Sequence, residues 1–220
     1  MGEANAVERL GQRLLDVPTL TGTPPDWDGG SDPVDRFARW LLDAHDHQAL
    51  EPYALTLSTV DAEGAPDARI LILKGIRPDG AWAFAGGASS SKGIQLQHHP
   101  VAALTFHWKE RLRSVRIRGR VQPADPQESN ADFASRSPAS RAAALAGPTS
   151  QPLADPAQQA DAVAAALSGL EKGETPEHDW TLWWLLADQV EFWQGSPDRQ
   201  HHRERYTRTG TGWDRQLLWA

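Results

Sequence analysis

Three apolar runs joined by tight turns constrain this chain more than any other stretch: YALTLSTV (53–60), ARILILK (68–74) and AWAFA (81–85). DAEG (61–64) separates the first pair and Pro78-Asp79-Gly80 the second, and both carry residues that favour chain reversal. Strands joined so closely read as an antiparallel meander. ARILILK is apolar on both faces, so the expectation for it is a central strand. VAALTFHW (101–108) and RSVRIRGRV (113–121) read as a longer hairpin, and four strand-like pieces, 180–187, 189–194, 201–208 and 213–219, follow near the C-terminus.

Helical signals fall between these strands. Residues 5–16 read as a short amphipathic helix and 21–33 as a Gly/Pro-rich linker. Asp32 can cap a helix that begins at Pro33, with Val34, Phe37, Trp40, Leu41 and Ala44 at helical spacing. SSSK (89–92) looks like a helix start that runs to Pro100. Residues 126–146 are helical with a break near Pro138, 147–156 form a loop, and 160–173 form a helix ending at Gly173. The sum is an α+β class: an antiparallel, barrel-like sheet with flanking helices, not a doubly wound parallel sheet. The expected division is an N-terminal helical extension and linker over 1–45 and one domain over 46–220, in keeping with a chain of 220 residues.

The formal net charge of −7 argues against a general nucleic-acid binder, and no apolar run approaches a membrane span. With no cysteine there is no disulfide and no thiolate metal site, and a reducing cytoplasm is the expected compartment. Cationic clusters on so acidic a chain therefore need local explanations. Arg69 and Lys74 bracket one strand, where they read either as solvated ends or as a phosphate-binding pair. Lys92 and three serines sit at a helix start, which favours an anion. Arg116, Arg118 and Arg120 share one strand face opposite Val115 and Ile117, a solvated-face pattern, and the parity breaks at Arg113 and Ser114. Arg136 and Ser140 lie one helical turn apart and could converge on an anion. In EFWQGSPDRQHHR (191–203), Arg199, His201 and Arg203 alternate with Gln200 and His202. The adjacent histidines would face opposite ways on a strand, so no metal site is expected from them. The Arg-His-Arg face could supply a general acid/base with anion contacts on either side.

ARILILK, SSSKG with the following HHP (89–100), SRSPAS (135–140), TSQPL (149–153) and EFWQGSPDRQHHR hold their order over about residues 50–220. In these motifs the sequence resembles the pyridoxine/pyridoxamine 5′-phosphate oxidase family of flavoproteins. The resemblance implies an FMN-binding split β-barrel homodimer with FMN at the subunit interface. It also implies hydride transfer from a B6-phosphate carbon to flavin N5, with oxygen as electron acceptor and hydrogen peroxide as product. Carried over by position, the FMN-binding set is Arg69, Ile70, Leu71, Ile72, Leu73, Lys74, Ala85, Gly86, Ser91, Lys92, Ser114, Thr149, Ser150, Trp193 and Arg203. The substrate set is Lys74, Asp132, Arg136, Ser140, Arg199 and His201, of which Arg199 and His201 are the catalytic pair. His202 matches no functional position.

The departures are specific. Asp132 stands where the family has a phosphate-contacting Tyr, and a carboxylate there would repel a phosphate dianion. Ser91 replaces an FMN-contacting Arg, Ser114 and Thr149 each replace a Gln, and Ala143-Ala144-Leu145 replaces a Gly-Ala-Trp run. Two other readings accompany the parent activity. One is a specialised paralogue that oxidises a secondary-metabolite precursor, like the phenazine-biosynthesis flavin oxidases. The other is a non-catalytic flavin- or pyridoxal-phosphate-binding protein.

Overall fold

A computed structural model describes Leu10 and residues 20–220, apart from 175 and 211. The short helix expected over 5–16 lies outside the described residues, Leu10 excepted. In chain order the elements are α1 (Pro33–Asp46), β1 (Ala54–Val60), β2 (Pro66–Ile72), β3 (Gly75–Arg77), β4 (Ala81–Gly87), α2 (Ser91–His98), β5 (Val101–Trp108), β6 (Arg113–Pro123), α3 (Pro126–Ser135), α4 (Pro138–Leu145), α5 (Pro156–Glu171), β7 (Trp180–Gln194), β8 (His202–Thr209) and β9 (Gly212–Leu217).

All strands belong to one antiparallel sheet in the order β2-β1-β5-β6-β7-β4-β3, with β8 on β7 and β9 on β8. The two pieces expected at 180–187 and 189–194 are one strand. β7 pairs with β6 along its length, with β4 through its first half and with β8 through its second. This change of partner splits the sheet, and the fold is a split β-barrel with flanking helices. A register shift between Arg118 and Gly119 accompanies it. A Cβ at Gly119 would lie 1.9 Å from the Leu186 carbonyl oxygen, so only glycine fits that close approach.

Two strand expectations are corrected. ARILILK is not central: β2 is the sheet's outer strand, with Ile70 65% and Ile72 50% exposed. The expected three-strand meander resolves into two hairpins: β1 pairs with β2, and the short β3 pairs with β4 across the Pro78-Asp79-Gly80 turn, while β4 also joins β7 on the far side of the sheet. The parity break expected at Arg113 is also absent. Arg113 continues the inward face of Val115 and Ile117 and is buried.

α1 starts as its sequence dictates, with the Asp32 carboxylate accepting the Val34 N–H at 2.7 Å and Pro33 in the first turn. Its apolar stripe packs Phe37 and Trp40 edge-on against Phe106 and Phe192 of the sheet. Arg36 lies on the same buried stripe, fully enclosed, with Nη1 2.5 Å from the equally enclosed Glu204 and its guanidinium over Trp27, Trp40 and Phe192. Arg113 donates to Asp43 of α1, to Gln194 and to the Asp26 carbonyl. Burial pushes its guanidinium down to about 10, with Asp43 opposing, so the charge is kept at neutrality. These bonds fasten the linker and α1 across the β6–β7–β8 end of the sheet.

Candidate active site

The site residues expected from sequence fall into three groups. The first forms around the N-terminus of α2. β4 ends in Gly86-Gly87, and the chain turns through Ala88-Ser89-Ser90 into the helix. Asp179 shapes that turn: its carboxylate accepts the backbone N–H of Ser89 at 2.8 Å and the Ser89 hydroxyl, and its carbonyl accepts the Ala88 N–H. Ser90 is buried and donates to the Gly87 carbonyl at 2.6 Å. Two of the three serine hydroxyls, those of Ser89 and Ser90, are thus spent on the turn. What remains open is the helix N-terminus itself, Ser91, and Lys92.

Lys92 reaches back from the helix to the Ser90 hydroxyl at 2.8 Å. It lies directly across Gly86, where a Cβ would come within 2.4 Å of its Cε. No carboxylate forms an ion pair with it among the described residues. Burial, and then repulsion from Arg69, hold the Lys92 ammonium below its usual range, with Asp179 opposing. Arg69 is fixed beside it, donating to Thr59 at 2.5 Å and to Gln95 at 3.0 Å and pairing with Asp67. Two cations thus lie near each other at a helix N-terminus, one of them without an ion-pair partner among the described residues, an arrangement suited to an anion. The 147–153 loop closes on it: the Ser150 hydroxyl accepts the Ser91 N–H at 3.3 Å, and Thr149 and Ser150 line an adjoining cavity of about 500 Å³. Ala85 and Gly86 are buried beneath. Leu71 and Leu73 turn towards the core, while Ile70 and Ile72 point outward.

The second group adjoins the first, because Trp180 follows Asp179. Asp132 on α3 pairs with Lys74 Nζ at 3.1 Å and accepts the Trp180 indole N–H at 2.7 Å. Arg136, one helical turn on, lies flat over the Trp180 ring at 3.7 Å with its Nη1 buried and unbonded. Burial pushes its guanidinium down, with Asp132 opposing. Lys74, Asp132 and Arg136 therefore do come together. Ser140 bonds instead with Ser137, the cap of α4, and no bond joins it to Arg136.

The third group lies at the other end of β7. Cross-strand pairing sets Ser114, Trp193 and Arg203 in one row over β6, β7 and β8. They line a cavity of about 330 Å³ together with Thr105, Arg116, Glu191 and Ala220. Glu191 bridges Arg203 and Arg116, each at 2.9 Å, so Arg116 belongs to this site and not to a merely solvated face. His201 packs against Trp193 with ring centroids 5.2 Å apart, and its Nδ1 meets the backbone N–H of Ser196 at 3.0 Å. A backbone N–H can only donate, so Nδ1 accepts and the neutral ring carries its proton on Nε2. The strand expected from 201 begins at His202, and Arg199 sits before it in an exposed turn at φ 65°, so the alternating Arg-His-Arg face does not form. Glu204 does not face solvent but the core, and His202 stacks on Trp27 at 4.9 Å. Among the described residues no three His, Asp or Glu side chains cluster as a metal site would need, and no helix is long and apolar enough to cross a membrane.

The structure places the chain in the split-barrel class, with clustered cations at the α2 N-terminus and a tryptophan–arginine row towards the far end of β7. Comparison narrows the class. The pattern of the family described as "Pyridoxamine 5′-phosphate oxidase" matches residues 41–193, and that of "Pyridoxine 5′-phosphate oxidase C-terminal dimerisation region" matches 180–220. A pyridoxine/pyridoxamine 5′-phosphate oxidase of Caulobacter vibrioides is 40% identical over 198 residues, 89% of this chain and 88% of that one. Its counterpart in Legionella pneumophila is 36% identical over 191 residues, 86% and 87% of the two chains. Among solved structures, PhzG from Burkholderia lata, in complex with tetrahydrophenazine-1-carboxylic acid, superposes with a TM-score of 0.84 at 27% identity, covering 90% of this chain and all of that one. A pyridoxamine 5′-phosphate oxidase-related, FMN-binding protein of Nostoc punctiforme shares the fold, with a TM-score of 0.68 at 19% identity over 86% and 97% of the chains. This chain belongs to the pyridoxamine 5′-phosphate oxidase family, and the C-terminal match supports a homodimer.

Sequence reasoning missed Asp179, Trp180, Glu191 and Gln95. Each acts by holding a cation or a turn contributed from far away in the chain, and no local pattern marks such a partner.

Proposed function

We propose that the protein is an FMN-dependent oxidase that works as a homodimer. The observation that carries this reading is the unpaired Lys92 held beside Arg69 at the α2 N-terminus, a donor set fitted to the phosphate of a mononucleotide. The match of residues 180–220 to a C-terminal dimerisation region supports the dimer, and in this reading each flavin site takes the Lys92 group from one copy and the Trp193 group from the other.

In this reading Arg69, Lys92, Ser91 and Ser150 hold the flavin phosphate. Gly86 leaves room for Lys92, and Ser114, Trp193 and Arg203 from the other copy flank the ring. FMN, when bound, supplies the acceptor for a substrate hydride and passes the electrons to oxygen, giving peroxide. The protein's own residues orient the substrate. Arg136 and Lys74 grip its anionic end. His201 presents Nε2–H as a hydrogen-bond donor because Ser196 fixes its tautomer, and Arg199 covers the substrate from its turn. The test is aerobic turnover of pyridoxine and pyridoxamine 5′-phosphates by FMN-loaded protein, following pyridoxal phosphate and peroxide. A colourless protein that takes up no added FMN would sink the reading. Bound FMN without turnover would leave only the binding-protein alternative or a different substrate.

The second reading, a paralogue acting on a secondary-metabolite precursor, is favoured by one contact. Asp132 neutralises Lys74, the very cation a B6 phosphate would use. The likeness to PhzG over nearly the whole chain supports the same reading. Flavin reduction by a dihydrophenazine carboxylate, with none by the B6 phosphates, would decide for it.

A further inference from the structure

Asp132 stands at the centre of the cluster that would take the substrate's anionic end. One carboxylate oxygen pairs with Lys74 at 3.1 Å and the other accepts the Trp180 indole N–H at 2.7 Å. Its side chain is only 14% exposed. Trp180 in turn carries the Arg136 guanidinium on its ring face, so the four side chains form one connected unit. The formal charges are two cations and one anion, a net of +1. Arg136 has a buried N–H with no acceptor, and burial already disfavours its charge. A donor in that state is satisfied by an incoming anion.

We infer that Asp132 sets the charge of the group this site accepts, so that the cluster selects a monoanionic aromatic carboxylate over a phosphate dianion. A carboxylate brings the cluster to neutrality and matches the planar fork of Arg136. A phosphate dianion leaves one excess negative charge in a partly desolvated site, and its second charge faces the Asp132 carboxylate at close range. In place of Asp132 a neutral hydrogen-bonding side chain would leave both cations free, and the net of +2 would suit the dianion. The inference rests on the flavin-oxidase reading only for where the substrate lies. The charge count stands on Lys74, Asp132, Arg136 and Trp180 alone.

The experiment is calorimetric titration of wild type, Asp132→Asn and Asp132→Glu, each with and without FMN, at pH 8. The probes are phenazine-1-carboxylate and 4-deoxypyridoxine 5′-phosphate, neither of which can be oxidised at the position in question. Asp132→Asn keeps an acceptor for Trp180, so the fold is retained, and a melting curve of each variant checks this. The expected result is that Asn tightens the phosphate probe by about tenfold and the carboxylate probe by only about threefold, since the gain scales with the charge of the ligand. Glu restores the wild-type order. Comparing variants probe by probe cancels the difference between the two rings. Equal shifts for both probes, or no gain for phosphate, overturn the inference and make Asp132 a structural partner of Trp180. Failure of the flavin reading shows separately, as FMN that does not bind any of the three proteins.

Discussion

Replacing Lys92 by Met separates what this side chain does for the fold from what it does for a ligand. Among the described residues Lys92 bonds only the Ser90 hydroxyl, and its ammonium is disfavoured by burial and then by Arg69. Its folded pKa lies below the unfolded value of 10.5. The charged form is therefore worse off in the fold, a cost fully present at neutral pH that fades as pH rises through 10.5. Met keeps the apolar stem against Gly86 and removes that cost. The apo protein should melt at the same temperature or higher. A hydrogen bond from a charged donor to phosphate is worth about 1.5–3 kcal/mol, so FMN should bind roughly 10–100-fold more weakly. FMN fluorescence quenching gives the affinity, and calorimetric scanning of flavin-free protein gives the stability. A variant that melts lower and binds FMN as well as wild type would refute the reasoning. Lys92 would then be a pin for the turn, not an anion ligand.

Other perturbations have definite outcomes. His201→Ala should lower turnover about 10²–10⁴-fold with FMN retained; equal turnover would remove His201 from the mechanism. Arg36→Met strands the enclosed Glu204 with only the half-exposed Arg215 as a cationic partner, and should cost about 3 kcal/mol in urea denaturation; a loss under 1 kcal/mol would mean that Arg215 suffices. For Asp179, burial raises the carboxyl but the Ser89 bonds outweigh it, and the net is a value below the usual 3.8. A depressed carboxylate contributes stability above the unfolded value and loses it as pH falls through the folded one. The fold should therefore lose stability as pH falls below 3.8 and through the folded value, and Asp179→Asn, which weakens the turn at every pH, should flatten that fall in a series of melting curves.

The hairpin of β5 and β6 was legible because alternation over many residues leaves one reading, and α1 was legible because Asp32, Pro33 and the apolar spacing agree. ARILILK misled for a physical reason. An apolar pattern on both faces suggests burial on both, but β2 takes the outer position of the sheet and leaves Ile70 and Ile72 exposed in the protomer. The doublet at 201–202 misled because alternation assumes a strand, whereas the chain is still turning at Arg199. The cations of the site were legible one by one from their motifs. Their pairing was not. That Lys74 meets Asp132, that Arg116 meets Glu191, and that Lys92 meets no carboxylate among the described residues depend on sheet order and on where α3 packs.

The continuous β7 has a genetic consequence. In the proposed dimer one strand contributes to two sites, its start to one and its end to the other. A protomer crippled at Lys92 and a protomer crippled at Trp193, each inactive as a pure dimer, would when mixed form heterodimers in which one site carries both defects and the other carries none. Two dead alleles would then complement each other to half the normal activity per heterodimer, and two alleles damaged at the same end of the strand would not.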